Sequence, residues 1–549
     1  MLLIWGWVTV STFHTALIVQ DECHFFDPVY ELVDHGKWRG PHNEYLGHGI
    51  EQLQYGHPAG NGLMQAPWLI VTGNGWEAVR LNAVLLRLAI VACMIGLMYR
   101  GHFSAWAALA SSLLFIFFSY FDESVVRPDA GAGLCLFGIL WQLRPRQTLR
   151  QACTMAVLWA AAGMFHQLAI LVGGVGWLCA VVVAVHHRDG QQFRRLLLGA
   201  TAAGALFLAL YTLPILVLHG VSSVPDLYSG TMYHMRVISQ RATPALILRQ
   251  LLWGIPQFTL LLLLTPWLAW RSTWTSFTER CMAIAYAGGF VYIAARTNFG
   301  MWYFVILAPT AAFLFGRSLM RLEILSPRVG TAIGATVVAL LAVVVCRHGL
   351  VSTPYTNLTN GREVDRLLAG LVDEHVRPGS AVLTTPQFYH QVKRRCGLTR
   401  DLEYFAMYGP IEDLGRFDYV LCMDERDIDD PLQRFNQAQR DELLRRFDVI
   451  YDSREAGEQW RSAKLRTWGQ LQPIPAIRLF RSKLAPAGAS LSGQQSAPQR
   501  QQCIGPLPAR SVCDSTRSLC IAISAFSCDL EMFCDNQHQG KATNAPKAS

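Results

Sequence analysis

Charged residues are scarce in this sequence. Of its 549 residues only 16% are Asp, Glu, Lys or Arg, whereas 52% are hydrophobic and the mean hydropathy is +0.25. Soluble globular domains carry about 25% charged residues, so a chain surrounded by water along its whole length is excluded. The scarcity is uneven, because the apolar runs stop near residue 347 and the region from about 360 to 483 has an ordinary globular charge content. Lipid is therefore the predicted solvent of most of the chain.

Several common functional motifs are also missing. No Gly-rich phosphate loop opens a helix in the carboxyl-terminal region, so a nucleotide site there is unsupported. The net charge of +8 is spread over short loops instead of one basic stripe, which argues against nucleic acid as a partner. The cysteines near the carboxyl end form no Cys-x-x-Cys pair and predict no zinc site: Cys503, Cys513, Cys520, Cys528 and Cys534.

About eleven apolar runs have roughly the length of a membrane span. A spanning helix needs about twenty apolar residues. The runs lie at 1–20, 79–99, 103–120, 125–143, 151–165, 167–185, 196–218, 249–270, 281–295, 301–316 and 329–347. They predict an α-helical polytopic membrane protein in which residues 1–350 form the transmembrane domain, with a long outer loop at 21–78.

The region 351–483 predicts a small soluble α/β domain. Apolar runs such as SAVLTT, FDYVLCMD and AIRLFRS alternate with helical patterns such as REVDRLLAGLVDEHV. This alternation is typical of a sheet covered by helices in three layers, and a packing or acceptor-docking role is favoured for it. Residues 484–549 are rich in Ser, Gln, Ala, Pro and Cys without periodicity, and they predict a disordered tail.

Basic residues in the short loops predict the orientation of the bundle. With a cytoplasmic amino terminus, five basic loops face the cytoplasm; they carry Arg100, Arg144 with Arg146 and Arg150, Arg188 with Arg194 and Arg195, Arg271 with Arg280, and Arg317 with Arg321 and Arg328. The outer face then receives the loop 21–78, the segments FDESVVRPD and ARTNFG, the loop 219–248 and the α/β domain. All the candidate chemistry falls on that outer face.

An acidic pair, Asp21 and Glu22, directly follows the first predicted span. Acidic side chains at a membrane boundary would cost about 2.5 to 3.5 kcal/mol at the bilayer centre, and they are usually paired or functional. The pair therefore predicts either a pocket at the lipid interface or a helix end solvated by charge. The sequence alone leaves both interpretations open.

Further charged groups lie at the outer ends of later spans. Asp129 follows Arg127 and Pro128 at the entrance to the fourth span, where a helix-capping role competes with a functional one. The Arg127 guanidinium is of the kind that can hold a phosphate. Four more residues are candidates for substrate binding on this face, namely Arg80, His166, Arg296 and Tyr303.

The order of these features resembles the polytopic GT-C glycosyltransferases, in particular dolichyl-phosphate-mannose protein mannosyltransferases and bacterial lipid-A aminoarabinose transferases. The matching features are Asp21-Glu22 after the first span, Arg80-Leu81 opening the second, Arg127-Pro128-Asp129 before the fourth, and MWYFVILAPTAAFLFG as a late helix. The resemblance covers most of residues 1–350. It implies transfer of a sugar from a polyprenyl-phosphate donor to a lipid, glycan or protein acceptor on the outer face, usually with inversion.

On this resemblance Asp21 is the expected catalytic base, because inverting transfer needs a carboxylate to take the acceptor proton. Glu22 and Asp129 are expected to orient the acceptor or a divalent ion, and Arg127 and Arg296 to contact the phosphate. The cofactor stays open, with a divalent cation as one candidate, and no metal ligand is assigned. The expected location is a bacterial inner membrane, with the active site and the α/β domain facing the periplasm.

Two other classes of function stay open. A multi-span transporter would also use charge within the membrane, although transporters tend to show internal repeats and interrupted helices, which this sequence lacks. A non-catalytic protein of envelope polysaccharide assembly would tolerate replacement of the acidic residues at the membrane boundary. The identity of the sugar and of the acceptor is not encoded in any recognisable pattern.

Overall fold

The computed structural model describes residues 20–46, 49–55, 58–72, 76–120, 129–238, 243–245, 276–295, 301–358, 361–423, 432, 435–453, 463–465, 471–473 and 477–484. The chain divides into two units, 1–485 and 486–549, and all the described residues belong to the first. The predicted spans at 1–20 and 249–270 lie outside the described residues, apart from Gln20, and so does the predicted tail from residue 485 onward.

Helices make up most of the described chain. They are α1 (Gln20–His35), α2 (Gly60–Thr72), α3 (Trp76–Arg100), α4 (Ala105–Tyr120), α5 (Asp129–Gln142), α6 (Leu149–Phe165), α7 (Gln167–His186), α8 (Gly190–His219), α9 (Val224–Ile238), α10 (Phe277–Ala294), α11 (Ala308–Leu325), α12 (Pro327–Leu358) and α13 (Gly361–His375). The predicted spans from 79–99 to 167–185, and the span at 281–295, coincide with α3 to α7 and α10 within about four residues, whereas α8 begins six residues before the predicted 196–218 and α12 ends eleven residues after the predicted 329–347. The total number of spans stays a prediction.

Local signals explain where several of these helices begin. Thr148 and Gln151 form a capping box at the start of α6, and Asp189 and Ser276 cap α8 and α10 by accepting backbone N–H groups. Only His166 separates α6 from α7, with an extended backbone (φ −156°, ψ 128°). The two helices therefore meet at His166.

The predicted span at 301–316 begins differently from the expectation. A 3-10 helix, Met301–Ile306, comes first, and α11 starts at Ala308 with Pro309 in its first turn, where the missing N–H of proline is not needed. A Cβ on Gly133 of α5 would lie 2.9 Å from the Ile306 carbonyl oxygen, so this 3-10 helix packs closely on α5. The predicted outer loops 21–78 and 219–248 also contain helices, namely α1, α2 and α9.

Two of the described helices, α7 and α8, are long and apolar enough to cross a membrane, with mean hydropathies of 2.6 and 2.0. Only 17% of the most apolar stretch of α8 is buried, and Leu198, Leu213 and Val217 are exposed on it. Soluble monomers rarely expose continuous apolar faces of this length. Lipid as the solvent of the bundle accounts for these faces.

Several arginines predicted to be cytoplasmic meet at one end of the bundle. Buried Glu279, near the start of α10, accepts hydrogen bonds from Arg317 and Arg321 of α11 at 2.8 and 2.6 Å. Its neighbour Thr278 accepts one from Arg144, beyond the end of α5, at 3.1 Å. The amino terminus of α5 and the carboxyl terminus of α10 therefore lie at the opposite end, which is called the outer end after the predicted sidedness. This grouping agrees with the predicted sidedness, while the membrane side that each end faces stays a prediction.

The carboxyl-terminal region contains a five-stranded sheet with the order β2-β1-β3-β7-β4. Its strands are β1 (Ala381–Thr384), β2 (Leu398–Asp401), β3 (Tyr419–Met423), β4 (Phe447–Asp452) and β7 (Ile477–Ser482), and β5 (Ala463–Leu465) pairs with β6 (Leu471–Pro473) in a separate two-stranded sheet. The helices of this region are α14 (Tyr389–Arg395), α15 (Leu402–Tyr408) and α16 (Gln437–Arg446). Strands β2, β1 and β3 run parallel, and β7 is antiparallel to β3 and β4.

Helices cover both faces of this sheet. Val382 and Leu421 belong to an apolar cluster with α13 and α14, while Leu383 and Val420 belong to a second cluster with α15 and α16. Successive side chains of a strand point to opposite faces, so neighbouring apolar residues build two cores. The three-layer arrangement is present, whereas the boundaries 351–483 of a separate domain stay a prediction.

Candidate active site

The acidic pair predicted as the catalytic centre lies near the amino end of α1. Asp21 and Glu22 directly follow Gln20, the first residue of this helix. Their side chains are outside the described part of the structure. The segment after the first predicted span is thus a helix of 16 residues, and the orientation of this helix determines where the pair lies.

An apolar cluster holds α1 and α2 against the outer ends of α6 and α8. It includes Phe26 of α1, Met164 of α6 and Tyr211 of α8. The first residue of α2 is Gly60, where a Cβ would lie 2.5 Å from the Met164 carbonyl oxygen, so glycine is needed for this close approach. Because Met164 is two residues from His166, the outer helices and His166 belong to one end of the bundle.

Three of the predicted site residues come together at this end. Asp129 is fully buried in the first turn of α5, and its Oδ1 lies 3.8 Å from Nε2 of His166. Nδ1 of His166 accepts the backbone N–H of Leu168 at 3.1 Å, so the neutral imidazole carries its proton on Nε2. The ring of Tyr303 stands edge-on to the imidazole, with 5.5 Å between centroids.

The separation of 3.8 Å between Asp129 and His166 is longer than a direct hydrogen bond. A hydroxyl or phosphate oxygen entering beside the pair could accept from Nε2–H, while the carboxylate could accept from a hydroxyl. The arrangement can therefore orient a polar substrate group between an acceptor and a donor.

Two of the three arginines predicted to bind substrate flank α5 and α10 in the sequence. Arg80 is in α3, with its side chain outside the described part, and Arg127 and Arg296 lie wholly outside it. Arg127 is two residues before the start of α5, and Arg296 is two residues after the end of α10. Their roles remain predictions.

A buried ionic cluster that the sequence did not predict joins α1 to the sheet region. Asp27 and Glu31 are four residues apart and so lie on one face of α1. Their side chains are 0% and 4% exposed, and both accept a hydrogen bond from Nζ of Lys393, at 2.7 Å for Oε1 of Glu31. Tyr389 also donates its O–H to Asp27. Arg39 donates to Glu31 at 2.5 Å. The spacing of the two acids was visible in the sequence, but Lys393 is 366 positions from Asp27, and nothing local connects them.

The charges in this cluster support one another. Burial alone raises the pKa of Glu31, but the charges and hydrogen bonds of Lys393 and Arg39 outweigh burial and hold that pKa below its ordinary value. Burial lowers the pKa of Lys393, and the neighbouring charges of Asp27 and Glu31 more than reverse this, so its pKa is raised. Glu31 and Lys393 are therefore charged at neutral pH.

The chain that follows α1 binds the same sheet through the 3-10 helix Pro41–Leu46. Nε2 of His42 lies 2.8 Å from Oδ2 of Asp401, and both side chains are fully buried. Glu44 pairs with Arg400 and, at 2.9 Å, with Arg416. Burial raises the pKa of Glu44, but the two guanidinium groups hold it below its ordinary value.

No protein-family model and no curated protein sequence matches the chain. Its structure is similar to that of ArnT from Cupriavidus metallidurans bound to undecaprenyl phosphate, with a TM-score of 0.55 and 14% identity over 87% of this chain and 96% of that chain. The apo state of the same protein gives a TM-score of 0.54 with 14% identity and the same coverage.

A weaker similarity extends to the oligosaccharyltransferase of Archaeoglobus fulgidus in complex with Zn and sulfate, with a TM-score of 0.42 and 9% identity over 76% of this chain and 67% of that chain. The similarity to ArnT over 87% of this chain shows that the chain shares its fold, which is GT-C-like.

Proposed function

We propose that the chain is a membrane glycosyltransferase that moves a sugar from a polyprenyl-phosphate-linked donor to a lipid, glycan or protein acceptor on the extracytoplasmic face. The observation that carries this proposal is the shared fold over 96% of the length of ArnT, a protein described as bound to undecaprenyl phosphate. Because a fold can host many reactions, the second support comes from the site, where a buried carboxylate and an imidazole meet at the end of the bundle that carries the acidic helix α1.

The proposed reaction is a displacement at the anomeric carbon of the donor sugar. The acceptor oxygen forms the new bond to this carbon, the bond from the carbon to the polyprenyl phosphate oxygen breaks, and the phosphate leaves with the electron pair. The proton of the acceptor hydroxyl passes to the carboxylate of Asp21, which acts as general base. Attack from the face opposite the leaving group inverts the configuration.

The departing phosphate needs cations or hydrogen-bond donors aimed at its oxygens. Arg80, Arg127 and Arg296 supply this charge in the proposal, and Nε2–H of His166 supplies a further donor. Tyr303 lies against the His166 ring and limits its orientation.

The remaining acidic residues orient the acceptor in this proposal. Glu22 lies beside the base on α1, and Asp129 lies across from His166. The described residues contain no group of three or more His, Cys, Asp and Glu side chains that could hold a metal ion. We therefore assign no ligand set to a divalent cation.

The test is transfer of radiolabelled sugar from polyprenyl-phosphate donors by the purified chain, compared with Asp21→Asn at equal folded yield. Loss of a general base lowers the rate by about 10²- to 10⁴-fold, and this is the expected result. Asp34→Asn is the matched control, because Asp34 is an exposed acid of the same helix. Activity that survives Asp21→Asn would assign the base to Glu22 or Asp129, and no transfer by the intact chain from any donor would refute the function.

A further inference from the structure

The parallel strands of the carboxyl-terminal sheet end where α1 docks. In open α/β sheets, ligands bind at the carboxyl ends of parallel strands. Here the ends of β1 and β2 form that edge, and it contacts α1 and the 3-10 helix Pro41–Leu46. Cys23 of α1 donates to the Pro386 carbonyl oxygen at 3.3 Å, and Nε2 of His42 lies 2.8 Å from Oδ2 of Asp401. In this protein, part of the edge that would bind a ligand in a soluble domain binds α1.

The docked helix has a weak point of its own. Pro28 lies inside α1, and a proline in a helix removes one backbone hydrogen bond and clashes with the carbonyl four residues earlier, here that of His24. The first two turns, which carry Asp21 and Glu22, are therefore poorly fixed by the helix itself. External contacts fix them instead, including the contact of Cys23 with Pro386 and a hydrogen bond of 2.8 Å between His24 and Asn43.

The ionic cluster lies next to this weak point. Asp27 precedes Pro28 and accepts from Lys393, from Tyr389 and, at 2.8 Å, from the backbone N–H of His42. A carboxylate that is fully buried and held by three donors has one favourable position, since any shift would leave a charge without its partners. Asp21 is six residues from Asp27, or about 9 Å along a helix.

We propose that Lys393 is a positioning residue for the proposed transferase site. By holding Asp27 and Glu31 against the sheet, it sets the position of the first turns of α1 and hence of the Asp21 carboxylate relative to the outer end of the bundle. This inference rests on the proposed function for its catalytic consequence. Its structural part, that Lys393 orders residues 20–27, is independent of that function.

The test uses Lys393→Met, which keeps the apolar stem and removes the charge. We expect backbone hydrogen exchange of residues 20–27 to accelerate by about tenfold or more. A misplacement of about 1 Å can cost about 10²-fold in rate, so kcat for transfer should fall by ~10- to 100-fold while KM for the donor changes by less than about threefold. Lys393→Arg should restore most of both losses, since a guanidinium can still bridge two carboxylates.

Two further variants keep the test decisive. Lys483→Met removes a half-exposed lysine of the same region, which pairs with Asp448 at 3.7 Å, and it should change neither exchange nor kcat. Tyr389→Phe removes only the hydroxyl that reaches Asp27, and it gives a milder change in the same direction if Lys393→Met does not fold.

The outcomes separate the two proposals. Unchanged exchange of residues 20–27 in Lys393→Met overturns the inference, whatever the transfer activity. Accelerated exchange with unchanged kcat also overturns it, because the position of α1 would then not matter for catalysis. No transfer by the intact chain refutes the proposed function, while the exchange measurement still decides whether Lys393 orders the helix.

Discussion

The pair of Asp129 and His166 can be tested by substitutions that leave the local structure in place. Asp129→Asn keeps the size of the side chain and removes its charge. His166→Asn removes the imidazole, yet asparagine is a favourable residue at the start of a helix and can still accept the backbone N–H of Leu168. Both variants therefore remove proposed chemistry while preserving the start of α5 and the cap of α7.

The two interpretations of Asp129 predict effects of different size in different measurements. If Asp129 only complements the dipole of α5, its charge contributes about 0.3 to 1 kcal/mol to stability, and transfer activity at equal folded yield should change little. If it orients the acceptor beside His166, we expect kcat/KM to fall by about 100-fold, which corresponds to about 2.7 kcal/mol of transition-state stabilisation. Activity and thermal unfolding of the same preparation separate these cases.

The double variant tests whether the two residues act together across their separation of 3.8 Å. Residues that act on one substrate group are not additive, so Asp129→Asn combined with His166→Asn should lose little more than the worse single variant. Asp226→Asn is the control, because Asp226 is an exposed acid in the first turn of α9. Activity of Asp129→Asn within about threefold of the intact chain, or fully additive losses, would refute the joint role.

Two further predictions concern α1 and α2. Gly60→Ala should lower the free energy of unfolding by about 1 to 3 kcal/mol, and with it the midpoint of thermal unfolding, because the added Cβ meets the Met164 backbone. The control is Gly204→Ala, in open space on α8, which should raise the free energy of unfolding by up to about 1 kcal/mol; equal effects of the two changes would contradict the close approach at Gly60. The pKa of Glu31 is held below its ordinary 4.5, so the stability that Glu31 contributes should be lost as pH falls below about 4.5. The pKa of Lys393 is held above its ordinary 10.5, so the stability that Lys393 contributes should be lost as pH rises above about 10.5. Thermal unfolding against pH checks this, and the acid loss should be smaller in Glu31→Gln.

The sequence predicted those parts of the fold that depend on long apolar runs. The spans from 79–99 to 196–218 lie on described helices because nothing else in the chain can satisfy a backbone in lipid. Strands β1, β3 and β7 were predicted from short apolar runs. Among the candidate site residues, Asp129, His166 and Tyr303 were selected separately and lie together, because each marks the outer end of a helix.

Other features had no local signal. Strand β2 reads Leu-Thr-Arg-Asp, with two charged residues of four, and it forms a strand only because β1 pairs with it and the 3-10 helix Pro41–Leu46 covers it. Helix α1 contains Pro28 and seven acidic or His residues besides, a composition that favours a loop. The pairing of Lys393 with Asp27 depends on the completed fold, because a contact between residues 366 positions apart leaves no periodic pattern.

Buried charge fixes relative positions at both ends of the bundle. Between helices in lipid, apolar faces gain little by choosing one partner over another, so the polar contacts of Glu279 have a large share in holding α10 against α11. Glu279 joins α10 to two arginines of α11 at one end, and Lys393 joins two acids of α1 to the sheet at the other. Removing one partner of such a buried group costs about 3 to 5 kcal/mol, which makes each arrangement specific. The contact of Asp129 with His166 is longer, 3.8 Å against 2.8 Å or less for Glu279 with its arginines, so His166 does not hold Asp129 in the way that the two arginines hold Glu279.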